Sequence, residues 1–260
     1  MLGHTPREDE SMKLLGRMGR NRLVIAAAAV LVFATAGTTT PQQEPLKVLM
    51  LGAASHGGDT MTEVLKEVHE RYPSLRVTVT ENLEDLLLDN LKNYNVLCIN
   101  RLRVQENNPP DFVKEGIVGF LKQGGGLVTT HFAVANAQNW RDSIHIFGGI
   151  WVTGKTTHKP YKEFEVQVKD ANHPITKGIR VFKTTDELYY NMLMRPDVHV
   201  VLSANEELFG DSIAYPMLTT HTFYGGRVAW MVFGHDAKSA ATPEFRQLLA
   251  QSLEWAGKRR

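Results

Sequence analysis

Five histidines placed at strand ends and loop starts are the residues of this chain best suited to chemistry. His131 closes the run Gly124-Gly125-Gly126-Leu127-Val128-Thr129-Thr130-His131; His158, His173, His221 and His235 follow in similarly punctuated surroundings. An imidazole titrates near neutrality, so at the rim of a cleft it can pass a proton to or from a carbon beside a carbonyl. A carboxylate must orient it or serve as a second base, and Asp186-Glu187-Leu188-Tyr189 is the best source of one. Adjacent residues in an extended segment point to opposite sides, so only one of the two acids faces a cleft. We assign that place to Glu187, with Asp186 as its structural partner, and take His131, His235 and Glu187 as the candidate catalytic set. His56, Trp140, His158, His173, Asp186, Tyr189 and His221 are candidates for substrate contact, and Trp140, Trp151, Tyr189 and Tyr190 offer aromatic faces that either pack on a sugar ring or serve as lids over the core.

Histidine also ligates zinc and related ions, but H-x-x-x-H and H-E-x-x-H spacings are absent. A divalent metal is therefore possible only if the fold assembles it, and His131, His158, His235 and Glu187 are the candidate ligands. Gly52, Gly57 and Gly58 form neither a dinucleotide fingerprint nor a phosphate loop, so a nucleotide cofactor is unsupported.

The elements that position these residues are legible as an alternation. Leu46 to Ala53, Leu75 to Thr80, Asn95 to Asn100 and Leu127 to His131 read as strands; Asp59 to Tyr72, Leu83 to Leu91 and the stretch after Pro109-Pro110 read as helices. Strand and helix alternating at this spacing predict right-handed crossovers and a parallel sheet, with ligands at the carboxyl ends of the strands, where His131 would sit. The second half is less regular: Glu163 to Val168, His199 to Ser203, Met217 to Phe223 and Arg227 to Phe233 read as strands, and Pro243 to Ala256 as a final helix.

Composition narrows the function classes. The chain has 260 residues, 43% of them hydrophobic, and a formal charge of +1 without a basic stripe, which argues against a nucleic-acid partner. The single Cys98, in an apolar strand, rules out an internal disulfide. Residues 1–45 differ in kind: Lys13, Arg17, Arg20 and Arg22 precede the apolar stretch Leu23 to Ala36, which ends in a small-x-small site followed by a Thr/Pro/Gln-rich tract. That is the pattern of a secretory signal, with Met12 as an alternative start. Its 14 residues fall short of the ~20 that span a bilayer. The expectation is export to the periplasm or beyond, with membrane contact only through this segment if it is retained, and one domain over 46–258.

The ordered set Gly124-Gly125-Gly126-Leu127-Val128-x-x-His131, Trp140, Gly148-Gly149, His158, His173-Pro174-Ile175-Thr176, Asp186-Glu187-Leu188-Tyr189, Gly226-Arg227-Val228 and Gly234-His235 resembles the ThuA-like (trehalose utilisation) family over about Lys47 to Trp255. The resemblance implies a flavodoxin-like three-layer α/β sandwich with a mostly parallel central sheet, similar to class I glutamine amidotransferases, and a small-molecule carbohydrate partner, especially oxidised keto-disaccharides and glycosides. Where amidotransferases carry a cysteine nucleophile after the strand, this chain has Thr129-Thr130-His131-Phe132-Ala133, so cysteine-dependent glutamine hydrolysis is not expected. An exported enzyme acting on keto-sugars by His/carboxylate acid–base chemistry is the first reading; a non-catalytic sugar-binding protein and a metal-dependent hydrolase are the alternatives.

Overall fold

The computed structural model describes residues 44–52, 61–208 and 211–258. In chain order the first half gives β1 (Leu46–Leu51), α1 (Met61–Arg71), β2 (Leu75–Thr80), a 3-10 turn (Leu83–Leu86), α2 (Leu88–Leu91), β3 (Val96–Ile99), α3 (Asp111–Lys122), β4 (Gly126–Thr130) and α4 (Ser143–Phe147). Two short strands follow, β5 (Gly149–Ile150) and β6 (Thr157–His158), then β7 (Lys162–Val168), β8 (Phe182–Asp186), β9 (Tyr189–Tyr190) and β10 (Leu193–Met194). The chain closes with β11 (His199–Leu208), β12 (Asp211–Phe223), β13 (Gly226–Met231), α5 (Ala237–Ala240) and α6 (Pro243–Ala256).

The principal sheet has nine strands in the order β2-β1-β3-β4-β13-β12-β11-β7-β8. The pairs from β2 to β13 are parallel, and those from β13 to β8 antiparallel. Parallel strands covered on both faces are apolar on every position rather than on alternate ones, and all four residues of β3 and all five of β4 are buried. One face packs Val48, Met50, Cys98, Val128 and Met231 against Val64 and Val68 of α1 and Phe245, Leu248, Leu249 and Leu253 of α6. The other packs Leu49, Leu97, Ile99, Leu127, Val228 and Trp230 against Val113, Ile117, Phe120 and Leu121 of α3. Each such side chain removed from water contributes about 1.5–3 kcal/mol, so the three layers fix which strand ends meet.

Local chemistry explains the element ends. Thr242 caps α6 by accepting from the Phe245 amide, with Pro243 in the first turn where its missing N–H costs nothing. Asp111 and Lys122 lie at the favourable ends of the α3 dipole, and Gly124 leaves the helix at φ 86°. The helix expected over Leu83 to Leu91 is broken at Leu87, which is extended (ψ 139°). The break lets Leu86 and Leu91 both reach the core, and it brings the Leu86 carbonyl against α3 at Gly116, where an added Cβ would lie 1.9 Å from it. Strand β4 ends at Thr130, one residue earlier than the apolar pattern suggests, because His131 turns the chain. Among the described residues no helix is long and apolar enough to cross a membrane.

His221 on β12 is buried against Gly148 and Val198. Burial and the Arg195 guanidinium hold its imidazole below the usual range, while the His145 and Ile146 carbonyls and Asp197 oppose them. The unfolded chain then binds a proton that the folded chain resists, so stability falls as pH drops below about 6.5, the unperturbed imidazole value. Urea midpoints compared at pH 7.5 and 5.5 should show a smaller loss for His221→Leu than for the parent chain; an equal loss would contradict this assignment.

Candidate active site

The site forms where β4, β13 and β8 end. His131 follows β4 with φ 43°, a left-handed conformation that costs a non-glycine residue about 1–3 kcal/mol. The surroundings enforce it: the Trp230 indole donates to the His131 carbonyl at 3.3 Å, and Thr130 donates to Asn100 (2.7 Å), which donates to the Gly52 carbonyl (3.0 Å). The His131 ring is buried, with Nδ1 3.2 Å from the Val232 carbonyl. A carbonyl can only accept, so Nδ1 carries the hydrogen of the neutral ring and Nε2 presents its lone pair.

That lone pair meets three groups. The Tyr189 hydroxyl lies 2.8 Å from Nε2, His235 Nδ1 3.2 Å and Glu187 Oε2 3.6 Å, while His235 Nδ1 and Glu187 Oε2 are 3.2 Å apart. His158 Nδ1 lies 2.9 Å from the Lys159 carbonyl and 3.6 Å from Glu187 Oε1. Asp186 is fully buried below them: Oδ1 accepts from the Glu187 amide (2.7 Å), and Oδ2 from Gly234 (2.7 Å) and His235 (3.4 Å). Gly234 reaches that carboxylate at φ 113° with Phe245 2.7 Å from where a Cβ would stand, so only glycine fits.

Burial raises the Asp186 carboxyl, against the opposing pull of His131 and the three backbone amides. For Glu187 burial acts in the same upward sense but is outweighed by the surrounding imidazoles, His131 first and then His235 and His158, which hold it below the usual carboxylate range. Burial, then Glu187 and Asp186, push the Tyr189 phenol well above its ordinary value, so it acts as a neutral donor. Cys98 lies buried inside β3 with its thiol pushed up to about 12, unsuited to nucleophilic attack.

A cavity of about 330 Å³, lined by Phe132, Trp151, Thr157, His158, Glu187, Tyr189 and His235, opens above these groups. Two small ribbons build its wall: β6 pairs with β9, setting His158 opposite Tyr189, and β5 pairs with β10 just before Trp151. Trp151 packs edge-on to Phe132 and to Tyr189, at 5.7 and 5.1 Å between ring centres. Tyr161, bonded at 2.9 Å to Asp236, stands 5.5 Å from the His235 ring.

Of the residues singled out from sequence, His131, His158, Asp186, Glu187, Tyr189 and His235 are brought together. Trp140 is not: it is buried against Phe147, whereas Trp151, marked with it for a sugar-facing role, lines the cavity together with Phe132. His173 accepts the Ile175 amide at 3.2 Å and packs on Trp255, where it caps a 3-10 turn outside the cavity. His221 packs beneath Gly148, away from the lining residues. His56 lies outside the described residues. Phe132 and Thr157 each adjoin a marked histidine, a signal available in sequence; Tyr161 had none.

Asp186→Asn turns one acceptor toward the amides of Glu187, Gly234 and His235 into a donor. It should lower stability by about 1–3 kcal/mol in urea titration at pH 7, and parent-like stability would contradict the anchoring role.

A family model described as ThuA, trehalose utilisation, matches residues 47–256. The fold is similar to that of a protein described as ThuA-like from Parabacteroides merdae, at TM-score 0.69 and 18% identity over 84% of this chain and 91% of that one. A second ThuA-like protein, from Bacteroides uniformis, is similar at TM-score 0.63 and 18% identity, over 84% and 94% of the two chains. A GH42 β-galactosidase, Gan42B, matches at TM-score 0.56 and 14% identity, over 82% of this chain and 30% of its own. No curated protein matches the sequence.

Proposed function

The chain belongs to the ThuA (trehalose utilisation) family, and we propose that it is an enzyme acting on keto-sugars or keto-glycosides by moving a proton at the carbon beside the carbonyl. The observation that carries this reading is the meeting of His131 Nε2, His235 Nδ1 and Glu187 Oε2 within 3.2–3.6 Å on the floor of an aromatic-walled cavity. Its volume, about 330 Å³, lies at the low end of the roughly 300–1,000 Å³ of small-molecule sites, which suits a sugar ring stacked on Trp151.

Glu187, held in its ionised form, is the base that takes the proton, with His235 at 3.2 Å to relay it. The electron pair of the broken C–H bond moves to the carbonyl oxygen, toward which the Tyr189 hydroxyl turns the hydrogen it otherwise gives to His131 Nε2 at 2.8 Å. Return of the proton to the former carbonyl carbon, with the hydroxyl proton of the deprotonated carbon passing to the former carbonyl oxygen, isomerises the sugar; departure of a group from the carbon next to the carbanion eliminates it. Export belongs to the same proposal, supported by the basic and apolar runs over 13–36.

A turnover screen on 3-keto-glucosides and their parent disaccharides tests the reaction. His235→Ala and Glu187→Gln should each lower turnover by about 10²-fold or more while the sugar still binds. Sugar binding without turnover by the parent chain would replace the enzyme with a carbohydrate-binding protein.

A further inference from the structure

We propose that His131 Nε2, Glu187 Oε2 and His235 Nδ1 form a site for one divalent cation of the zinc class. The proposal deepens the reading of this cavity as the reaction site and rests on it. Zinc takes imidazole nitrogen and carboxylate oxygen at about 2.0–2.2 Å, and a tetrahedron of such bonds has edges of roughly 3.3–3.6 Å. The three atoms here form a triangle with sides of 3.2, 3.2 and 3.6 Å. Two histidines and one glutamate with a fourth position left to substrate are a donor set that catalytic zinc accepts.

The groups around the triangle are arranged as outer partners of a metal site are. His131 faces the Val232 carbonyl through Nδ1 at 3.2 Å, which fixes the tautomer and turns the Nε2 lone pair inward. His158 lies 3.6 Å from Oε1 of Glu187, on the oxygen that the triangle does not use. Asp186 grips the backbone of Glu187 and His235, so two ligands hang from one buried carboxylate and the third is set by the strained turn at His131. Of the four ligands considered from sequence, His158 stays outside the triangle, and among the described residues the other three form the cluster with ligand atoms within 4.8 Å of one another.

Tyr189 and Trp151 line the cavity beside the triangle, and ligation would require the Tyr189 hydroxyl to turn away the hydrogen it gives to His131 Nε2 at 2.8 Å. A keto oxygen bound there would be polarised by the cation, and proton transfer would pass to His158 and the free oxygen of Glu187.

The test is calorimetric titration of the chelator-stripped full chain with zinc chloride alone, with metal content read by elemental analysis. The expected result is one zinc per chain, weakened more than about 100-fold in His235→Ala and in Glu187→Gln and unchanged in His173→Ala, with circular dichroism verifying that each variant is folded. Sub-stoichiometric zinc in the parent chain, or parent-like affinity in folded His235→Ala and Glu187→Gln, would overturn the proposal. Zinc bound one to one without keto-sugar turnover would remove the reaction and keep the site. Turnover undiminished in stripped protein that takes up no zinc would remove the site and keep the reaction.

Discussion

The buried carboxylate of Asp186 is the constraint on which the site depends. It is the last residue of β8, at the far edge of the sheet, yet it accepts amide hydrogens from Gly234 and His235, which follow β13 near the sheet's middle. The antiparallel extension therefore curls back until its final strand meets the parallel half, and one side chain ties the two together. Leaving such a group without its donors would cost the full desolvation penalty of a buried acceptor, so the closure is strongly enforced. Two of the three site residues hang from it: Glu187 is the next residue, and the His235 amide is one of its donors.

The second constraint is the turn at His131. A parallel strand buried on both faces offers no side chain to solvent until it ends, and an abrupt left-handed residue there lifts the imidazole onto the rim while its ring stays packed. The Trp230 and Val232 contacts hold both the backbone and the ring, so strain and tautomer are set by the same neighbours. The chain thus presents a fixed lone pair at the strand end, a group able to accept a proton or to ligate a cation.

Much of this was legible in the residues because local patterns carried it. Continuous apolar runs at β1, β3 and β4 separated by helical spacing specify a parallel core, and the helically spaced apolar residues after Pro243 specify α6. That only one of Asp186 and Glu187 faces the cavity follows from the divergence of neighbouring extended residues, while which one does is set by the fold: Glu187 lines the cavity and Asp186 lies beneath it. What local pattern could not supply was long-range pairing. The two-residue ribbons that aim His158 and place Trp151 are too short to leave a period, and Trp140 and Trp151 are equivalent as letters until the packing separates them. His173 and His221 were chosen for their surroundings in sequence, but a turn cap and a packed strand position account for their placement.

The central claim is that this cavity moves a proton at the carbon beside a sugar carbonyl. Proton NMR of a 3-keto-glucoside incubated with the protein in D2O reads that step directly, whether the reaction continues to isomer, to elimination or back to substrate. The expected result is loss of the signal of the hydrogen next to the carbonyl, faster than in buffer and abolished by Glu187→Gln. A bound keto-sugar that keeps that hydrogen at the rate seen in buffer would contradict the account.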